Sequence, residues 1–439
     1  MADSEITYHS LPSSHPLTGE LKLPGDKSIS HRALLLSALA EGDSTIKNLL
    51  MGEDNLATLN ALQNLGIQIV IGSNQKILVK GNGLRGLKPS ANPLDLGNSG
   101  TGLRLLAGIL AGQTFSSQLT GDSSLQKRPM KRIVEPLSQM GAKISMSKEG
   151  TPPLFIEGGH PLCGINYQMP LASAQVKSCL LLAGLYAKNT TNVYEPTVSR
   201  DHTERMLIQF QYPIQVRGTQ VTISSGYHLK PANIEIPSDI SSAAFFMVAA
   251  TIKKGSFLKL KNIGINPTRI GVIKILQKMG ANIVLENYQE TLPEPTADIV
   301  VKSSQLKGII IPSDYIVSAI DEFPAIFIAA AFAKGTTTLR GAAELRVKES
   351  DRISAMAEGL NRLNIKSEIY EDGIAIEGGT LTGGIVDSFH DHRVAMSFAI
   401  AGCAAQDKIS ILNCANVATS FPNFIELAKE VGINLEVDL

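Results

Sequence analysis

A block that recurs six times along the 439 residues restricts the fold most. Each copy reads as an apolar helix, a tight turn, a β-rich run and an amphipathic helix that closes near glycine. The first copy is Ala33–Ala40, Glu41-Gly42-Asp43, Ser44–Leu50 and Asp54–Leu65, ending at Gly66. The others begin at Gly102–Ala111, Leu180–Tyr186, Ala243–Ile252, Ala325–Ala333 and Val394–Ala405. Their second helices are Met130–Met140, His202–Phe210, Ile270–Met279, Arg352–Leu363 and Asn423–Val431. The first helices are apolar all round, which predicts burial. The second helices have one apolar face: Met130, Ile133, Val134, Leu137 and Met140 align, as do Leu56, Leu59, Leu62 and Leu65. A period of about 70 residues is too long for a common solenoid. It predicts six small α/β units in two halves, with Pro237-Ser238-Asp239 as the seam.

Basic and acidic residues both number 40, so the formal charge is zero. A nucleic-acid or membrane-surface protein would show a basic excess. Trp is absent and aromatics are few, which also argues against single-strand stacking. Cys163, Cys179, Cys403 and Cys414 lack metal-type spacing and are expected to be reduced core thiols. The opening MADSEITYHSLPSSH has no apolar signal region, and no run is long and charge-free enough for a bilayer. A cytoplasmic protein is the expectation. Gly81, Gly83 and Gly86 spell GxGxxG, but Leu87-Lys88-Pro89-Ser90 follows where a nucleotide site needs a helix. A surface turn is expected there.

The residues ahead of the apolar helices are polar in every copy. They include Lys27-Ser28 in PGDKSISHR, Asn98-Ser99-Gly100-Thr101, Ser173-Ala174-Gln175, Ser238-Asp239, Asp321-Glu322 and Asp391-His392-Arg393. A helix N-terminus has unpaired N–H groups and a positive dipole end, so it favours anions. If related units pack alike, these ends share common centres, and the expectation is a cleft of anion-binding ends between two halves. It would hold Lys27, Arg32, Arg104, Arg128, Arg200, Lys348, Arg352 and Arg393, with Asp321 and Glu349 among them. So many cations imply a multiply charged substrate, or two that bear phosphate or carboxylate. Each piece also has a plain structural reading. Asn98 to Gly102 suits a turn and cap, and RVKESDR suits a solvated helix start with an internal Glu–Arg pair. His392 suits a core or capping role, and Arg200 suits a surface pair with Asp201 or Glu204.

Six stretches together resemble the 5-enolpyruvylshikimate-3-phosphate (EPSP) synthase family. They are Pro24–Gly42, Leu96–Gly108, Gly121–Met130, Ser173–Leu185, Arg346–Leu360 and Asp391–Gly402. The resemblance implies a two-domain inverted α/β barrel of six βαβαββ repeats, three per domain, with helices buried inside. One domain would be residues 1–22 plus 239–439 and the other 23–238, hinged by two crossing strands. It implies transfer of the enolpyruvyl group of phosphoenolpyruvate to the 5-hydroxyl of shikimate 3-phosphate, with release of phosphate. It implies no cofactor or metal, and the family is usually monomeric.

Carried over, Ser28, Arg32, Ser173, Ala174, Arg200 and Lys348 contact shikimate 3-phosphate. Gly100, Arg128, Arg352 and Arg393 hold phosphoenolpyruvate, and Lys27 and Gln175 lie between the substrates. Asp321 is the base toward the 5-hydroxyl and Glu349 the proton donor to the methylene, with Lys27 and Lys348 beside them. Asn98, Thr101, Arg104 and His392 support them. The chain departs from the family pattern in places. Ala174 stands where many members have Ser, Glu344 where others have Asn, Thr419 where others have Lys, and Leu105 where Pro is common. Arg200 would compensate at the phosphate. The UDP-N-acetylglucosamine enolpyruvyl transferases share the chemistry, but Gly121–Pro129 lacks their reactive Cys and Ser28 replaces their Asn.

Overall fold

The computed structural model describes residues 6–72, 76–290 and 293–438. Residues 1–5, at the head of the N-terminal stretch read above, lie outside the described residues. The chain forms two compact units of mixed α/β structure. One is Gly25–Ile236 with Thr291–Glu294; the other is Met1–Pro24, Pro237–Glu290 and Pro295–Leu439.

The Gly25–Ile236 unit carries three four-stranded sheets. In the first, Asn233–Glu235 runs parallel to Glu41–Lys47, which pairs antiparallel with Ile77–Asn82, and Gln68–Ile71 closes the edge. The second repeats this order with Leu94–Asp95, Ser117–Thr120, Leu154–Glu157 and Lys143–Ser145. The third repeats it with Asn166–Gln168, Thr190–Tyr194, Gln220–Ser224 and Ile214–Arg217. Three helices fill the interior: Lys27–Leu39, Gly100–Ala111 and Ala174–Gly184. Nearly all their side chains are buried, as sequences without a polar face require. Each starts earlier than its apolar run because the polar residues ahead of that run form the first turn. Asp26, Ser99 and Ser173 cap them by accepting from Ile29, Gly102 and Val176 N–H. The GxGxxG stretch ends a strand and enters a turn, with no helix following.

The other unit follows the same plan. Thr18–Lys22 runs parallel to Phe257–Gly264 in one sheet, and the chain ends meet in another, where Thr7–Leu11 pairs antiparallel with Asn434–Asp438. The third sheet has three strands, Thr336–Leu339, Gly373–Glu377 and Ser367–Tyr370. Its fourth place is marked by parallel bridges from Lys307 and Ile310. Ile240–Ile252, Phe323–Ala331 and His392–Ala401 are the interior helices.

The amphipathic helices lie over these layers. In all six copies the residue just beyond the helix takes a positive φ: Gly66, Gly141, Gly280 and Gly432, but Gln211 and Asn364 in the third and fifth. The left-handed turn is thus present even where the sequence has no glycine for it. One cysteine departs from expectation: Cys163 is exposed, because it lies in a loop after Leu162, while the other three are buried. No described helix is long and apolar enough to cross a membrane.

Candidate active site

In the Gly25–Ile236 unit, side-chain bonds tie the three interior helix starts together. His31 of the first helix meets Ser99, the cap of the second, at 3.3 Å. Gln175 of the third donates to Thr101 of the second at 2.8 Å and accepts from Arg104 at 2.5 Å. Arg32 of the first donates through Nη2 to Ser178 of the third at 2.7 Å. Three positive dipole ends therefore neighbour one another, an arrangement that favours an anion.

Cations surround these ends. Arg104 Nη2 donates to Pro129 O at 3.2 Å, and Arg128 Nη2 donates to Asn98 Oδ1 at 2.6 Å. A Cβ on Gly100 would lie 3.0 Å from Nη1 of both Arg104 and Arg128. Only glycine leaves the space between these two guanidiniums open at the helix start. Lys27 forms an ion pair with Asp54, which begins the neighbouring amphipathic helix. Arg32 is buried; beyond Ser178 it donates to Thr203 Oγ1 at 2.7 Å and to Ser28 O at 2.9 Å. Burial pulls its guanidinium down to about 10, Glu204 and Asp26 oppose that pull, and the charge of Arg200 adds to it.

The surface pairing expected of Arg200 has two candidate partners, the partly exposed Asp201 and the buried Glu204. Asp201 accepts from Arg205 at 2.8 Å, and Glu204 is buried against Lys177 at 2.7 Å.

The second unit gathers carboxylates about Arg352, which is only 1% exposed. Its Nε donates to Asp391 at 2.8 Å and its Nη2 to Glu349 at 2.6 Å. Asp321 Oδ1 stands 3.5 Å from Nη1 and 3.4 Å from Lys348 Nζ. Among the described residues, Nη1 has no hydrogen-bond acceptor. Arg393 donates to Asp321 O at 3.0 Å. The RVKESDR stretch has the internal Glu–Arg pair of its plain structural reading, Glu349 with Arg352, and is solvated up to Asp351, but Arg352 itself is buried against Asp391. Burial alone would push the Asp391 carboxyl up, but Arg352 overrides it and holds the group below the usual range. Burial also works against the charge on Arg352, and the three carboxylates raise its pKa nonetheless. Asp321 and Glu349 keep partial exposure, so both can reach a ligand. His392 is buried as the first residue of its helix. Glu344 approaches Lys348 at 3.9 Å, and Thr419 is buried, donating to Asn416 O at 2.7 Å.

The matching family description is EPSP synthase (3-phosphoshikimate 1-carboxyvinyltransferase), over residues 12–427. The chain belongs to this family.

A 3-phosphoshikimate 1-carboxyvinyltransferase of Coxiella burnetii is 56% identical over 432 residues, which is 98% of each chain. One from Methylococcus capsulatus is 54% identical over 437 residues, covering 100% of both. A solved EPSP synthase from Acinetobacter baumannii aligns with a TM-score of 0.89 at 50% identity, covering 99% of this chain and 100% of that one. Several charged residues within the two units escaped the sequence reading. Asp54, Lys177, Glu195, Glu204 and Arg269 are buried charges that periodicity cannot distinguish from solvated ones. Only Lys177 left a trace, as a charge inside the apolar run SAQVKSCLLLAGL.

One more convergence is metal-like. Asp201, His202 and Glu294 bring ligand atoms within 4.8 Å of one another. His202 Nδ1 and Glu294 Oε1, however, are 2.5 Å apart, closer than the ~3.4 Å between two tetrahedral ligands of one ion. They form a hydrogen bond instead.

Proposed function

We propose that this chain is a 3-phosphoshikimate 1-carboxyvinyltransferase that moves the enolpyruvyl group of phosphoenolpyruvate to the 5-hydroxyl of shikimate 3-phosphate. Addition of the hydroxyl to the enol carbon, with a proton to the methylene, gives a tetrahedral intermediate, and loss of phosphate together with a proton from the new methyl group completes the transfer. Ser28, Arg32, Ser173, Ala174, Gln175 and Arg200 take shikimate 3-phosphate, with Asp321 and Lys348. Arg128, Arg352 and Arg393 take phosphoenolpyruvate, Gly100 leaves it room, and Lys27 and Gln175 serve both. Asn98, Thr101, Arg104 and His392 orient these groups.

The observation that carries the assignment is the surroundings of Arg352. Two partly exposed carboxylates lean on one buried guanidinium whose Nη1 awaits an acceptor. An anion at Nη1 lies beside both. Asp321 takes the hydroxyl proton and Glu349 delivers one to the methylene, while fixed cations stabilise the developing charge. No step calls for a metal or organic cofactor. The six sheets with their helices are six βαβαββ repeats of an inverted α/β barrel, with domains of residues 1–22 plus 239–439 and 23–238. The enzyme works as a cytoplasmic monomer.

Phosphate release tests this reading. It is expected when phosphoenolpyruvate and shikimate 3-phosphate are both present, and neither with one alone nor with UDP-N-acetylglucosamine as acceptor. Release with UDP-N-acetylglucosamine instead would transfer the chain to the related enzyme.

A further inference from the structure

Lys177 lies one turn into the Ala174–Gly184 helix, and its side chain is 1% exposed. Its ammonium meets Glu195 at 2.8 Å and Glu204 at 2.7 Å, so it joins both ends of the segment that carries Arg200. It also donates to Ser199 O at 3.3 Å. Glu195 holds the rest of Ser199. It accepts from the backbone N–H at 3.3 and 3.4 Å, and from the hydroxyl. Every polar group of Ser199 is therefore held by this one ion cluster.

Stability alone explains the cluster poorly. Two carboxylates and an ammonium lose most of their hydration here, and well-packed apolar side chains often do as well or better. Burial pushes Glu204 up, which records that strain. What the cluster supplies is a fixed backbone at Ser199, the residue before Arg200. The adjacent helix residue, Ser178, together with Thr203, holds Arg32. Neighbouring positions on one helix thus hold Arg32 and the backbone beside Arg200, two cations assigned to shikimate 3-phosphate.

We infer that Lys177 and Glu195 are positioning residues that hold Ser199 so that Arg200 meets the 3-phosphate of shikimate 3-phosphate. This deepens the proposed function and rests on its assignment of Arg200. Glu204 gives Lys177 its second carboxylate partner, and the helix gives Lys177 a rigid base. The cluster is selective for one substrate because none of its members belongs to the phosphoenolpyruvate set.

The test is steady-state kinetics of the full chain with both substrates, each variant checked for folding by its thermal midpoint. Lys177→Met strands two buried carboxylates and is prone to misfold, so Glu195→Gln and Ser199→Ala carry the experiment. Each is expected to raise KM for shikimate 3-phosphate roughly tenfold, as a slight misplacement of a binding group does. KM for phosphoenolpyruvate should stay within about twofold. Arg200→Ala should raise the same KM, and adding Glu195→Gln to it should cost nothing further. If Arg200→Ala leaves that KM unchanged, the role of Arg200 fails and this inference falls with it. If Arg200→Ala raises it while folded Glu195→Gln and Ser199→Ala do not, the inference alone fails. Equal losses for both substrates, or losses that add to those of Arg200→Ala, also overturn it.

Discussion

Gly100 marks how finely single residues set this chemistry. A methyl group there would press on Nη1 of both Arg104 and Arg128 at 3.0 Å, but these are tips of flexible side chains that can move aside. Gly100→Ala should therefore fold normally and raise KM for phosphoenolpyruvate roughly tenfold, leaving that for shikimate 3-phosphate nearly unchanged. Substrate-saturation curves for each substrate check it, and a matched rise in both would refute the role given to Gly100. At this scale the sequence shows which residues are chemical but not which are paired. Lys27, Arg32 and Arg352 were legible as cations because they sit at polar helix starts. Their partners were not, because Thr203 and Ser178 lie 171 and 146 residues from Arg32, and Asp391 lies 39 from Arg352. Such pairing is decided by packing, which local pattern does not encode.

Among the elements, the interior helices were the most readable, since a helix apolar on every side has only one place to go. Their starts were less so. Lys27, Gly100 and His392 open helices that the apolar runs place two to six residues later. The polar first turn is where the ligand-binding groups sit, so it breaks the pattern that announces the helix. The left-handed residue after each amphipathic helix gives a separate test. Gln211 holds φ 58° where four other copies use glycine. A side chain pays about 1 kcal/mol or more for that conformation. Gln211→Gly should raise stability by about 1 kcal/mol in urea denaturation at unchanged turnover. A loss of stability would show that the Gln211 side chain contributes more than its backbone costs.

At the scale of the whole molecule, each unit buries a charged layer under its helix starts, and pH reaches it through His31. This ring is fully buried, with Nδ1 2.8 Å from Thr58 Oγ1. Burial first, then the charges of Lys27 and Arg32, hold it well below the ordinary histidine value. In the unfolded chain the same ring takes a proton below about pH 6.5. The unfolded state then binds more protons, so stability is complete above that pH and falls as pH drops below it. Between pH 7.5 and 5.0 the parent should therefore lose stability, and His31→Asn should lose less over that range. Identical losses in parent and variant would place the ring outside this account. The central claim is that the carboxylates about Arg352 move the protons of the reaction. It is tested most directly by measuring kcat alongside substrate dissociation constants for Asp321→Asn and Glu349→Gln. The account predicts kcat lower by roughly 10²–10⁴-fold in each, with both substrates bound within a few-fold of the parent. Undiminished kcat, or a loss confined to binding, would contradict it.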